Sequence, residues 1–223
     1  AVGSCALEAN TTGVRNTAVG SKALQSNVCN NDNTALGICA LNASTANSNT
    51  AIGSRALQFT STGDGNNTAV GYAALYCNTS NAYNTAVGSN ALYQSTGIQN
   101  TAHGYAASYG NVGGCCNTAV GAFSLYCNAE GDYNVAVGRT ALRNNTCNLN
   151  VGIGYAAGYN GDTAEGIVSV GGQSLFTNVT GANQTALGYR ALYKSYGPGN
   201  TAGGSFALCN NEHGEANTAL GYK

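Results

Sequence analysis

The chain carries little charge. Only 8% of its 223 residues are charged, the formal net charge is −1, and it has no Trp, no Met and a single proline, Pro198. The eight basic residues are scattered. Binding to nucleic acid or to an anionic membrane surface depends on clustered Lys and Arg, so we expect no nucleic-acid partner. No run of about 18 apolar residues is present, which predicts no membrane insertion.

Patterns typical of catalysis and metal binding are also missing from the sequence. The nine acidic residues are scattered, whereas polysaccharide hydrolysis needs two convergent carboxylates. The nine cysteines lack the paired spacing of a zinc site and have no His nearby. We therefore expect no enzyme, no catalytic residues, no metal and no cofactor.

One short motif recurs along nearly the whole chain. It reads NTAVGYAAL at residues 67–75, and positions are counted here from its glycine, Gly71, as position 0. The glycine returns every 16–18 residues, at Gly3, Gly20, Gly37, Gly53, Gly71, Gly88, Gly104, Gly121, Gly138, Gly154, Gly171, Gly188, Gly204 and Gly221. A fixed short period of this kind indicates a solenoid.

Each motif position has its own chemistry. Position −3 is Thr or Val, −2 is mostly Ala, −1 is mostly Val, Ile or Leu, +3 is Ala or Ser, and +4 is mostly Leu. Alternating β-branched and small residues predict a strand, and the Gly, Asn and Thr content disfavours a helix. Polar segments between the motifs are typical of turns. We predict an all-β fold: a single repeat domain over residues 1–223, built as a parallel β-solenoid (β-roll) of about 13 coils of 16–18 residues.

A second period of about 50 residues is superposed, because the intervals group as 17, 17 and 16. Duplication of a three-coil unit explains it, and so would a single wide turn of about 50 residues. We prefer the short coil, since Ala, Val and Leu would not fill the wider interior. Cys77 and Cys127 test the choice, since they would be neighbours only in the wide turn.

Two sets of side chains are expected to hold the coils together. Asn at position −4 can stack as an amide ladder or serve as a turn residue, and both roles are compatible; this set is Asn16, Asn33, Asn49, Asn67, Asn84, Asn100, Asn117, Asn134, Asn150, Asn200 and Asn217. The aliphatic residues at −1 and +4 are the predicted core: Val19, Leu24, Leu36, Leu41, Ile52, Leu57, Val70, Leu75, Val87, Leu92, Val120, Leu125, Val137, Leu142, Leu187 and Leu192.

Cysteines and sequons both suggest an oxidising, secretory environment. The disulfide candidates are Cys5, Cys29, Cys39, Cys77, Cys115, Cys116, Cys127, Cys147 and Cys209, an odd number that leaves at least one thiol free or paired between chains. Asn-x-Ser/Thr sequons make glycosylation candidates of Asn10, Asn42, Asn66, Asn78, Asn144, Asn178 and Asn183. A chain this rich in Asn, Ser and Thr also produces sequons by chance.

Position +5 is often aromatic. Its tyrosines, candidates for surface contact with sugars or a neighbouring fibre, are Tyr76, Tyr93, Tyr109, Tyr126, Tyr159 and Tyr193. The alternative is that they cover the edge of each coil and stabilise the stack through aromatic contacts.

The unit Asn-Thr-Ala-Val-Gly-x-x-Ala-Leu resembles the head repeats of trimeric autotransporter adhesins and related repeats of phage and viral tail fibres. Residues 84–92, NTAVGSNAL, are among the closest stretches. The resemblance implies a β-roll. The repeat here is longer than that of the family, its Asn lies one place closer to the glycine, and cysteines are foreign to most such adhesins.

From these features we expect a non-catalytic, disulfide-containing structural or adhesive fibre protein. It would be secreted or displayed on a cell or virion surface, and would associate with itself as a filament or homotrimer, with surface glycans or matrix as further candidate partners. The chain begins and ends inside a motif, so we expect either removed caps or stacking on other subunits. The alternative function is an ice-binding solenoid that uses the Thr column at −3.

Overall fold

The computed structural model describes residues 1–59, 65–78 and 82–223. Within these residues it contains sixteen β-strands and no helix, and the strands pair in parallel as a β-solenoid. The predicted all-β parallel solenoid is confirmed.

The chain forms two compact units, unit 1 (Ala1–Gly113) and unit 2 (Gly114–Lys223). The main sheet of unit 1 pairs in the order β1 (Thr17–Val19), β2 (Thr34–Leu36), β3 (Thr50–Ile52), β4 (Thr68–Val70), β6 (Thr85–Val87) and β8 (Thr101–His103). Its smaller sheet comprises β5 (Cys77–Asn78), β7 (Gln94–Ser95) and β9 (Gly110–Asn111). Unit 2 pairs in chain order β10 (Thr118–Val120), β11 (Val135–Val137), β12 (Val151–Ile153), β13 (Val168–Val170), β14 (Thr185–Leu187), β15 (Thr201–Gly203) and β16 (Thr218–Leu220).

Strand register defines the length of a coil. Thr50 pairs with Thr34, 16 residues before it, and with Thr68, 18 residues after it (50 − 34 and 68 − 50). Each motif position therefore lies beside its equivalent in the next coil. The short coil is confirmed and the 50-residue turn is wrong, so the longer period reflects a grouping of three coils.

The glycine at position 0 is needed for conformation and for space. Gly71 has φ +134, outside the range that L side chains readily adopt, and a Cβ added to it would lie 2.6 Å from the carbonyl oxygen of Gly88 in the next coil. Neighbouring coils approach this closely at twelve motif glycines, from Gly3 to Gly204, whereas a Cβ on Gly221, at the last strand, would meet nothing within 4 Å. Between stacked coils no other residue fits, which explains why the glycine recurs.

A tight corner follows this glycine. Ala73 and Leu75, at +2 and +4, adopt the left-handed conformation with φ 51 and 50, which is uncommon for residues other than Gly, Asn and Asp. The Leu75 N–H donates to the carbonyl of Ala91 in the next coil at 3.0 Å, so the corner is hydrogen-bonded between coils as the strands are. The Leu75 side chain is fully buried, and this burial offsets the backbone strain.

The hydrophobic core contains fewer aliphatic columns than the sequence predicts, because only one of the two predicted aliphatic positions is inside. The leucines at +4 are completely buried, as predicted, at Leu24, Leu41, Leu57, Leu75, Leu92, Leu125, Leu142 and Leu192. They pack inside with the alanines at −2 and +3.

The predicted inward placement of position −1 is wrong. Six of these side chains are exposed, namely Val19, Leu36, Ile52, Val120, Val137 and Leu187, and the other two, Val70 and Val87, are only half-buried. A strand sends alternate side chains to opposite faces, so −2 and −1 cannot both point inward. The interior admits only the smaller one: a Cβ added to Gly152, at −2, would lie 2.7 Å from Cγ of Leu142.

Candidate interaction surfaces

The predicted amide ladder at position −4 is present. The Oδ1 atom of Asn67 accepts the backbone N–H of Asn84 at 3.0 Å, and Oδ1 of Asn84 accepts that of Asn100 at 2.9 Å. Nδ2 of Asn84 donates to the carbonyl of Gly97 at 3.0 Å. Each amide thus joins its own coil to the next. The other ladder residues are buried except Asn16, which is half-buried, and Asn217, which is exposed.

A second buried amide column, at position +7, was not anticipated. Nδ2 of Asn128 donates to the carbonyl of Gly131 at 2.8 Å, and Nδ2 of Asn178 donates in the same way to Gly181 at 2.8 Å. Asn27 donates to Oδ1 of Asn10 in the preceding coil at 2.7 Å. The sequence carries a signal for this column, because Asn or Ser recurs seven residues after most motif glycines, within the polar segments predicted to be turns.

This column corrects two glycosylation predictions. Asn78 and Asn178 are completely buried, so their side-chain nitrogens are inaccessible to a glycosyltransferase in the folded protein. Of the other sequon asparagines, Asn66 and Asn183 are exposed, and Asn10, Asn42 and Asn144 are half-buried.

No disulfide joins any of the nine cysteines in the structure. Equivalent positions are close only in adjacent coils. Cys5 and Cys39 share position +2 but lie two coils apart, roughly 10 Å by strand spacing, whereas a disulfide needs Cα atoms within about 7 Å. The disulfide candidates therefore gain no support from the fold.

The outward side of the main sheet in each unit is called here the outer sheet face and consists of the side chains at −3 and −1. Its −3 column in unit 1 is threonine throughout and in register: Thr17, Thr34, Thr50, Thr68, Thr85 and Thr101. The −1 column is mostly aliphatic, and Leu36 in unit 1 and Leu187 in unit 2 are each 47% exposed. No acid, Lys or Arg occupies either column.

The aromatic column at +5 forms stacked ladders. In unit 1 the rings of Tyr76, Tyr93 and Tyr109 stack nearly parallel, with centroids 4.9 Å apart at both steps. In unit 2 the Phe176 ring stacks on Tyr159 at 5.0 Å and on Tyr193 at 5.3 Å. Because the faces of Tyr93 and Phe176 are covered by neighbouring rings, those faces cannot stack on sugars. This supports the alternative role of stabilising the coil edge.

Arg143 occupies the +5 position between two of the unit 2 tyrosines. Its guanidinium carbon lies 5.1 Å from the ring centre of Tyr126 and 5.7 Å from that of Tyr159, and Nη1 donates to the Tyr159 hydroxyl at 3.0 Å. The arrangement is a cation–π contact on both sides of the guanidinium. Arg143 is one of the eight basic residues that look scattered along the sequence, and its contacts with the tyrosine column are visible only in the folded chain.

A surface groove of about 400 Å³ lies beside this column in unit 2. Positions +1, +2 and +5 of successive coils line it, and its larger side chains include Arg139, Arg143, Tyr155, Tyr159, Gln173 and Phe176. Thr140 and Ala156, both small, line it at +2. We name this feature the unit 2 groove.

Other kinds of site are not seen in the described residues. They contain no group of three or more His, Cys, Asp or Glu suited to a metal ion. They also contain no long apolar helix of the kind that crosses a membrane. His103 and His213 are exposed.

Comparison with known proteins returned no match: no protein-family model, curated protein or solved structure is significantly similar to this chain. The resemblance to adhesin head repeats therefore stays a prediction.

Proposed function

We propose that this protein is a non-catalytic structural or adhesive fibre protein of the extracellular or virion surface, and that its subunits associate through the outer sheet face. The supporting observation is the regular exposure of Val, Ile and Leu at position −1 in both units. Contiguous exposed apolar surface of this kind marks an interaction site in soluble proteins.

The periodicity of the face indicates what covers it. Thr or Val at −3 and an aliphatic side chain at −1 repeat at nearly every coil, with His103 and Gly203 as the exceptions at −1, and strand pairing sets a spacing of about 4.8 Å. A partner that matches such a face over many coils must share its period. A second copy of the chain meets this requirement, and the low charge leaves little electrostatic repulsion between copies.

Sedimentation velocity on the full chain tests the proposal. We expect oligomers for the wild type, and monomers for a variant carrying Leu36→Lys and Leu187→Lys, since charges desolvated in the interface would oppose association. Ile38→Lys with Val179→Lys is the matched control, because both positions are exposed but lie outside the outer sheet face. A wild type that stays monomeric at high concentration contradicts the proposal.

Ice binding is the second candidate and uses the same face. The observation that favours it is the unbroken threonine column of unit 1, since an ice lattice is also periodic. It is less favoured because position −3 changes to Val135, Val151 and Val168 in unit 2, and because position −1 varies in length among Val, Ile and Leu.

A thermal-hysteresis assay separates the two candidates. Ice binding predicts hysteresis from monomers that is lost in Thr68→Tyr, on the outer face, and retained in Thr180→Tyr, on an exposed turn. Absence of hysteresis in the wild type at high concentration eliminates this candidate.

A further inference from the structure

The arginines and the acidic residues of unit 2 occupy different motif positions. Its arginines lie at positions +1, +2 and +5, at Arg139, Arg190 and Arg143. Its acids lie at +8, +9 and +11, at Glu130, Asp132, Asp162, Glu165, Glu212 and Glu215. None of these acids lines the unit 2 groove.

Two arginines of the groove lack a carboxylate partner. The ion pairs within the described residues are Arg15 with Asp32 and Lys194 with Glu212, so neither Arg139 nor Arg143 is neutralised by an acid within 4.0 Å. Arg143 is instead held by aromatic rings and by the Tyr159 hydroxyl. Its other guanidinium N–H groups are available to an anion, for which a guanidinium is well suited.

Neutral polar groups and an exposed ring complete the lining. Oε1 of Gln173 accepts the Arg190 Nε–H at 2.7 Å, which orients the amide and leaves its NH₂ group to donate elsewhere. The Tyr159 hydroxyl accepts from Arg143 and can donate its own proton. Tyr155 is 52% exposed and, unlike the rings at +5, lies at position +1, outside the stacked column; its charged neighbour in the groove is Arg139, whose guanidinium carbon lies 6.0 Å from the ring centre.

From these contacts we infer that the unit 2 groove binds an acidic saccharide, with Arg139 and Arg143 on its carboxylate or sulfate, Gln173 and Tyr159 on its hydroxyls, and Tyr155 against its apolar face. The groove volume, about 400 Å³, suits one or two sugar rings. A nucleic acid is less well matched, because the groove offers two cations and unit 2 carries more acids than bases, six against five.

Nuclear magnetic resonance titration of the full chain with matched sugars tests the inference. The probes are methyl glucuronoside and methyl glucoside, which differ in the carboxylate, and the sulfate ester of glucose, which separates carboxylate from sulfate recognition. We expect saturable binding of at least one acidic probe and at least about tenfold weaker binding of the neutral one.

Variants locate the site. Arg139→Gln with Arg143→Gln should weaken acidic-sugar binding about tenfold or more, whereas Arg55→Gln, in unit 1, should leave it within about twofold. Thr140→Tyr fills the groove without removing charge and should also abolish binding, and circular dichroism checks that each variant is folded.

Three results would overturn the inference: no saturable binding of either acidic sugar, equal binding of the neutral glucoside, or unchanged binding in both groove variants. The inference is also overturned if an oligothymidylate binds more tightly than the acidic sugars and loses its binding in the same variants. The ligand of the groove would then be a nucleic acid and not a saccharide. None of these results depends on self-association, since the groove and the outer sheet face use different motif positions.

Discussion

The two units build the same coil with different interiors. In unit 1 the −4 ladder is asparagine at every strand of the main sheet, from Asn16 to Asn100. In unit 2 it changes to Ile167 and Gln184 before asparagine returns at Asn200. Both replacements are completely buried.

Each replacement in unit 2 is matched by a change beside it. Beside Ile167, the leucine usual at +4 is replaced by Gly158 and the asparagine usual at +7 by Gly161. A Cβ added to these glycines would lie 3.3 and 3.7 Å from Cδ1 of Ile167, and the one at Gly158 would also lie 2.7 Å from Cδ2 of Leu142. The longer amide of Gln184 accepts from the hydroxyl of Ser195 at 2.7 Å, where most coils have Asn at +7. The coils of this chain therefore keep interior volume and hydrogen bonding more strictly than residue identity.

The largest effect is expected where the units do not differ, at the motif glycine. Gly71→Ala in unit 1 and Gly138→Ala in unit 2 should each cost about 3–5 kcal/mol, because the added Cβ clashes with the next coil and the backbone is strained. Urea unfolding followed by circular dichroism measures this.

Gly172→Ala is the matched control for the glycine variants. Its Cβ would lie 3.4 Å from a Tyr189 ring carbon, an ordinary contact, so the variant should stay near wild-type stability. A loss of less than about 1 kcal/mol in either motif variant would contradict close coil approach as the cause of the glycine column.

The next effect concerns the matched changes of unit 2. Gly158→Leu restores the common residue but overfills the space that Leu142 and Ile167 occupy, and should cost about 1–3 kcal/mol. Adding Ile167→Asn removes the contact with Ile167, leaves that with Leu142, and restores the ladder, so the double variant should be more stable than the sum of the single changes predicts. Additive losses in urea unfolding would show that the two positions are independent.

A smaller effect distinguishes two cysteines at the same motif position. Cys77 and Cys127 both lie at +6, but Cys127 is exposed, whereas partial burial raises the pKa of the Cys77 thiol. Since the thiolate is the reactive form, iodoacetamide should modify Cys127 several-fold faster at mildly alkaline pH. Mass spectrometry of timed samples measures this, and the rates should converge in urea. Equal native rates would contradict the difference in burial.

The smallest effect belongs to the tyrosine stack of unit 1. Burial, and then the neighbouring Tyr109 and Tyr76, raise the pKa of Tyr93. The folded state therefore holds this proton more tightly than the unfolded chain, so its contribution to stability is present below about pH 10 and is lost as the pH rises further. Ultraviolet titration of Tyr93→Phe against wild type should remove one late-ionising group. If the variant instead lacks a tyrosine that ionises at lower pH than the others, the pKa of Tyr93 is not raised.

Much of the architecture was predictable from columns of residues. The period predicted the solenoid and the coil length, Leu75 and its equivalents predicted the core, and Asn84 and its equivalents predicted the ladder. Because the strands pair in register, residues at the same motif position in successive repeats lie on top of one another in the folded solenoid.

Other features depended on how each coil closes. Alternation in a three-residue strand allowed either Ala69 or Val70 to point inward, and only the narrow interior placed alanine inside and the aliphatic column outside. The same closure buried Asn78 and Asn178, which a local sequon pattern cannot reveal.

By itself, then, the sequence determined that the chain stacks short parallel coils and which residues lie above one another. Tertiary structure alone decided which columns face water, and that Arg139, Arg143 and Tyr155 border one groove. The reason is that a repeat specifies contacts along the stack, whereas burial and grooves depend on how distant positions meet across each coil.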